Sequence, residues 1–199
     1  MRRMKKRIFT AAAALMMLCA AGCADRNTEK TAESVPETTA ETVQRVSAYD
    51  REAVGETKSA GCVLLTPYFY GPVTLAGTSE VSAEGKNLHL EVDAVAAEND
   101  LGYREGEWIP YLTIDYDVAD KDGNTVASGA LMVSSSKNGP TYGSNISLPG
   151  SGSYSLRLSV HSPAENGFYL HKDERTGVSG EFWDKPITVT WPARDIEVD

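Results

Sequence analysis

The sequence predicts an all-β protein, an antiparallel β-sandwich of about seven to eight strands. Three observations carry this. Apolar residues recur at every second position in several segments, the connectors between them are built of tight-turn residues, and no stretch of the domain sustains the 3.6 period of a helix. Residues 154–161 show the first most clearly: Tyr154, Leu156, Leu158 and Val160 alternate with Ser155, Arg157 and Ser159, as in a strand with one face in a core and the other in solvent.

The chain has 199 residues, 41% apolar and 24% charged, which suits one soluble domain plus attachments. Its start is different in kind. "MRRMKKR" carries five positive charges, "IFTAAAALMMLCAAG" is apolar or small, and Cys23 follows. A basic start and a short apolar run make an export signal, too short to span a membrane. The small residues of "LCAAGC" resemble a bacterial lipoprotein signal, with residues 1–22 removed and Cys23 lipidated. Residues 24–44 are rich in Thr, Glu and Ala with almost no large apolar side chain, so they cannot bury enough surface to fold. Residues 45–60 carry no decisive pattern. We therefore expect a lipidated, flexible tether over 23–60 and the folded domain over 61–199.

Loss of residues 1–22 removes five Lys or Arg and no acid, taking the net charge from -9 to -14. So acidic a chain is unsuited to nucleic acid, because phosphate binding needs a basic surface. Of three cysteines, Cys19 would leave with the signal and Cys23 would be acylated, so Cys62 stands alone in the apolar run "CVLL". The domain has no internal disulfide and must be held by its core.

The period-two segments are 62–68, 88–96, 110–118, 125–134, 144–148, 154–161 and 186–191. "DKDGN", "KNGP" and "PGSGS" between them hold the Gly, Asn, Asp and Pro of hairpin turns. The longest connection, 162–185, exceeds ordinary loop lengths and contains His171, which marks it as a functional loop.

No G-x-S-x-G, P-loop, H-E-x-x-H or C-x-x-C motif occurs in the domain, and nothing specifies an enzyme. "DVADKDGN" lacks the acidic spacing of a calcium loop and reads as a hairpin turn. "NLHLEVDA" is more informative. Leu88, Leu90, Val92 and Ala94 share one strand face, so His89 and Glu91 share the other, separated by two residues of rise, as two ligands of one ion can be.

Five blocks in order, "LHLEVD", "EGEWIPYLTIDY", "NGPTYGSNI", "HKDERTGV" and "FWDKPITV", resemble the periplasmic iron-transport protein family, exported metal-binding proteins that accompany Ftr-type iron permeases. The resemblance runs from about residue 61 to 191. It implies a homodimer of immunoglobulin-like or cupredoxin-like sandwiches that binds copper and is linked to iron uptake. Carried over, the family's ligands fall on His89 and Glu91 of the H-x-E strand and on His171, which opens "HKDERTGV". Two positions depart from the pattern. Thr141 stands where the family has His in G-P-H-Y-G, and a neutral hydroxyl is a poor ligand for soft or borderline metals. For the family's methionine, counting back from "GPTYG" without a gap arrives at Ser134, whereas a hairpin two residues longer restores Met132 with the same strand parity. His161 matches no ligand position and reads as a surface histidine.

The expected function is a lipid-anchored carrier of copper or iron for an import system, working beside an iron permease, rather than a catalyst. The alternative is a family member that has lost metal binding and serves as a docking sandwich at the membrane surface.

Overall fold

A computed structural model describes residues 44–45 and 50–198; the export signal, Cys23 and most of the tether lie outside the described residues. The strands are Gln44–Arg45 (β1), Glu52–Ala53 (β2), Lys58–Ala60 (β3), Val63–Tyr70 (β4), Leu75–Ala76 (β5), Glu80–Val81 (β6), Leu88–Ala96 (β7), Thr113–Asp120 (β8), Thr125–Ala130 (β9), Met132–Ser136 (β10), Gly139–Ile146 (β11), Gly152–His161 (β12) and Ile187–Glu197 (β13). One turn of 3-10 helix, Pro163–Asn166, follows β12. No helix of the described residues is long and apolar enough to cross a membrane.

The strands form a sandwich, as expected. One sheet runs β1-β13-β12-β8-β9 and the other β10-β11-β7-β4-β2, with β3 also on β4; β5 and β6 make a separate hairpin. All pairings are antiparallel except β1 with β13. Alternation fills the space between the sheets. Val63, Leu65 and Phe69 of β4 and Leu88, Leu90 and Val92 of β7 share one core with Ile114 and Val118 of β8, Leu156 and Leu158 of β12 and Trp191 of β13. Each such side chain contributes about 1.5–3 kcal/mol of burial, and Cys62 packs against this core as a free thiol.

Several expected boundaries move, each for a local reason. The tether expected over 23–60 gives way earlier, because β2 and β3 pair with β4 and Val54 and Ala60 are buried in the core. These strands are too short for an alternation to show. The single strand expected over 125–134 is two strands in different sheets: Ala130 pairs with Asp115 of β8, whereas Met132 pairs with Gly143 of β11. Leu131 turns the corner, buried and donating its N–H to Ile114 O. The strand expected at 144–148 begins at Gly139, so "GPTYG" is strand; the turn is Lys137 and Asn138, closed by the Ser136 and Gly139 pair with Gly139 at φ 111°. "DKDGN" is the hairpin turn expected of it, with Asp120 Oδ1 accepting from the N–H groups of Asp122 and Asn124. The 162–185 connection is irregular beyond its 3-10 turn and is tied down by Trp183 Nε1 donating to Val160 O and Gly180 N to Asp100 O.

Candidate metal centre

β7 is the middle strand of its sheet. Its apolar parity faces the core, and the opposite parity carries His89, Glu91 and Asp93. That second face is not open to water: His89 and Glu91 are each only 1% exposed. Register explains the cover. Tyr70 of β4 and Asn145 of β11 flank His89, while Tyr68 and Gly143 flank Glu91, and flanking residues in a ladder share a face.

The tautomer of His89 follows from its neighbours. Asn145 Oδ1 accepts from Val73 N–H at 3.1 Å and Asn145 Nδ2 donates to Val73 O at 2.6 Å, so the backbone of Val73 sets the amide's orientation. The same Oδ1 lies 2.8 Å from His89 Nδ1, which must therefore carry the proton. Nε2 is left with its lone pair. It points at Gly143, where a Cβ would come within 2.6 Å of it. Burial lowers the His89 pKa against the opposing pull of Asn145 and Glu91, so the ring is held in the neutral form that ligates metals.

Glu91 is held from two sides. Tyr70 donates its hydroxyl to Oε2 at 2.6 Å, and burial together with this bond raises the Tyr70 pKa, keeping it protonated as the donor. Oε1 lies 2.8 Å from Arg51 Nε in an ion pair without hydrogen-bonding geometry, so this buried oxygen has no hydrogen-bond partner. Arg51 also reaches Asp93 Oδ1 at 2.7 Å and stacks on Tyr68 with its guanidinium carbon 3.8 Å from the ring centroid.

The hairpin of β10 and β11 brings both methionine alternatives to this face. Met132 pairs with Gly143, which pairs with Glu91, and Ser134 pairs with Thr141. Two strand spacings, about 9–10 Å, separate the Met132 and Glu91 backbones, and Gly143 between them has no side chain to obstruct a thioether. Thr141 is buried and donates its hydroxyl to Val92 O at 3.0 Å.

His171 is exposed in the long loop, and among the described residues no three His, Cys, Asp or Glu side chains gather to hold an ion. Its own orientation is nonetheless fixed. Thr176 Oγ1 donates to Asp173 Oδ2 at 2.7 Å, so it accepts from His171 Nδ1 at 2.9 Å, which turns Nε2 away from this bond. Asp173 in turn accepts from the N–H groups of Arg175 and Thr176, bonds that lower its pKa, with the Thr176 hydroxyl first among the causes. The "HKDERTGV" block thus fixes the ring of His171 by local bonds alone. His161 is part-buried rather than freely exposed, with Asp115 Oδ2 3.1 Å from Nε2 and Glu165 Oε2 2.9 Å from Nδ1.

His89 and Glu91 fit a first-row transition-metal ion: a neutral imidazole nitrogen and a carboxylate oxygen free of hydrogen bonds share one face, with a glycine cradle beside them. Asn145, Gly143, Tyr70 and Arg51 surround the two side chains but carry no ligand motif. Cross-strand register is the signal that would have found the first three; Arg51 has none.

The sequence profile of the family described as Fe2+ transport protein matches residues 50–195. The 34 kDa membrane antigen of Treponema pallidum is 30% identical over 178 residues, 87% of this chain and 86% of that protein. A UPF0423 protein of Brucella abortus is 33% identical over 143 residues, 69% of this chain and 78% of its own length. Among solved structures, FetP of uropathogenic E. coli matches with a TM-score of 0.69 at 31% identity, covering 76% of this chain and 99% of that one. The copper-reconstituted P19 protein of Campylobacter jejuni matches with a TM-score of 0.68 at 30% identity, covering 75% and 98%.

Proposed function

The chain belongs to the Fe2+ transport protein family, and from that premise we propose that it is a lipid-anchored, extracytoplasmic protein that binds copper, iron or both in support of iron uptake. His89, Glu91 and His171 are its ligands, with Met132 as a further donor and Cys23 as the lipid attachment site. The observation that carries this is the pairing, on one buried face, of His89 Nε2 and a Glu91 oxygen without a hydrogen bond. Copper-bound forms of FetP and P19 support the choice of metal.

A metal bound here would be stored or passed on, in keeping with the transport role that the family's description names. Because no three ligating side chains gather among the described residues of one chain, a homodimer in which a second copy brings its His171 loop to this face completes the ligand set. The partner for delivery is an iron permease. Thr141, in place of a histidine, leaves one donor fewer and makes binding weaker than a full set would give.

Titration calorimetry with Cu(II) on the purified full chain in detergent tests the proposal, copper being the divalent first-row ion that such donors hold most tightly. Copper should bind, His89→Ala or His171→Ala should abolish binding, and Thr141→His should tighten it. Binding unaffected by both alanine changes would reject the site. No binding by any variant would favour a docking sandwich that has lost its metal.

A further inference from the structure

The proposed ligand Glu91 already has a cation beside it, supplied by the chain itself. Arg51 Nε is 2.8 Å from Glu91 Oε1, its terminal nitrogen is 2.7 Å from Asp93 Oδ1, and the guanidinium lies flat over Tyr68 at 3.8 Å. The oxygen it meets is the one that Tyr70 leaves free. Arg51 and a metal ion therefore need the same carboxylate edge, and a divalent ion bonded to Oε1 at about 2.0–2.2 Å would stand within a few ångströms of the guanidinium, where like charges repel strongly in a part-buried site.

We propose that Arg51 is an internal competitor for the metal: its guanidinium occupies the Glu91 edge, and the ion loads only in molecules in which Arg51 has moved aside. This rests on the reading of His89 and Glu91 as ligands. Three features suit Arg51 to the role. Its contact with Oε1 is one of charge, without hydrogen-bonding geometry, and so can be exchanged for another cation. It immediately precedes β2, an edge strand of two residues held to β4 through Glu52 with Phe69 and Ala53 with Tyr68, with Val54 N–H to Pro67 O beyond. Its side chain therefore reaches Glu91 from the margin of the sheet and not from a central strand. Asp93 and Tyr68, which flank Glu91 but are not proposed ligands, give the displaced side chain a place to remain engaged.

The consequence is a measurable change in affinity. The apparent Kd is the intrinsic value divided by the fraction of molecules with the site open, so an open fraction of about a tenth means that removing the competitor tightens binding about tenfold. The experiment is Cu(II) calorimetry on the full chain, comparing wild type, Arg51→Gln, Arg51→Lys and His89→Ala, with thermal melts of each with chelator and with copper. Arg51→Gln should bind about tenfold tighter than wild type, melt lower without metal because Glu91 loses its buried counter-charge, and gain more in Tm from copper. Arg51→Lys, which keeps a charge but not the flat two-carboxylate fork, should fall between them. Equal or weaker binding by Arg51→Gln, alongside His89-dependent binding by wild type, overturns the proposal alone and makes Arg51 a positioning residue for Glu91. No copper bound by either overturns the metal reading as well. If Arg51→Gln does not fold, Arg51→Lys decides by the same comparison with wild type.

Discussion

Replacing Gly143 with alanine puts the geometry of the site to a direct test. A Cβ on this residue would lie 2.6 Å from His89 Nε2 and 3.1 Å from Leu90 O. Neither can give easily: Leu90 O is backbone of the central strand, and the imidazole is held by Asn145 Oδ1 at 2.8 Å and packed on Tyr70 with centroids 4.9 Å apart. Overpacking at a site this tight costs about 2 kcal/mol, which in a domain of this size lowers Tm by roughly 4–8 °C. A double-mutant cycle with His89→Ala isolates the cause. In the His89→Ala background the imidazole is gone, only the Leu90 carbonyl contact remains, and Gly143→Ala should cost less than half as much. Urea unfolding of the four proteins, with midpoints shifting at constant m, is the assay. Gly143→Ala melting with wild type would refute the close approach of His89 Nε2 to Gly143. An equal cost in both backgrounds would locate the strain in the backbone and remove the argument that glycine is there to make room for the imidazole.

Two further outcomes are expected. Burial alone would lower the His161 pKa, but hydrogen bonds and charges from Glu165 and then Asp115 outweigh it and the net shift is upward; a folded-state pKa above the unfolded one gives stability that is full below about pH 6.5 and is lost as pH rises through the folded value. Wild type should therefore lose urea stability relative to His161→Gln as pH rises above about 6.5, and parallel profiles would exclude the contribution. Cys23→Ser should move the protein from the membrane fraction to the soluble fraction, and unchanged fractionation would mean that attachment does not depend on Cys23.

What the sequence by itself determined is what period and parity can carry. β7 coincides with the expected segment, and the alternation of Leu88, Leu90 and Val92 with His89 and Glu91 assigns the two faces without reference to any other strand, because side chains in a strand alternate by backbone geometry alone. The "DKDGN" turn was equally legible, since Asp120 satisfies its own turn's N–H groups. The "HKDERTGV" spacing already held the whole relay of Asp173, Thr176 and His171, because all its bonds are local. Only the tertiary structure decided the rest. Polar residues opposite an apolar face normally meet water; here Tyr68, Tyr70 and Asn145 arrive from neighbouring strands, and Arg51 from 40 residues upstream of Glu91, to bury them. The corner at Leu131, which carries Met132 into the sheet of Glu91, looks from the sequence like the middle of one strand, because alternation persists through it while the partner strand changes. Which nitrogen of His89 is free was settled by Val73, through Asn145, since a tautomer is set by contacts that no period in the sequence records.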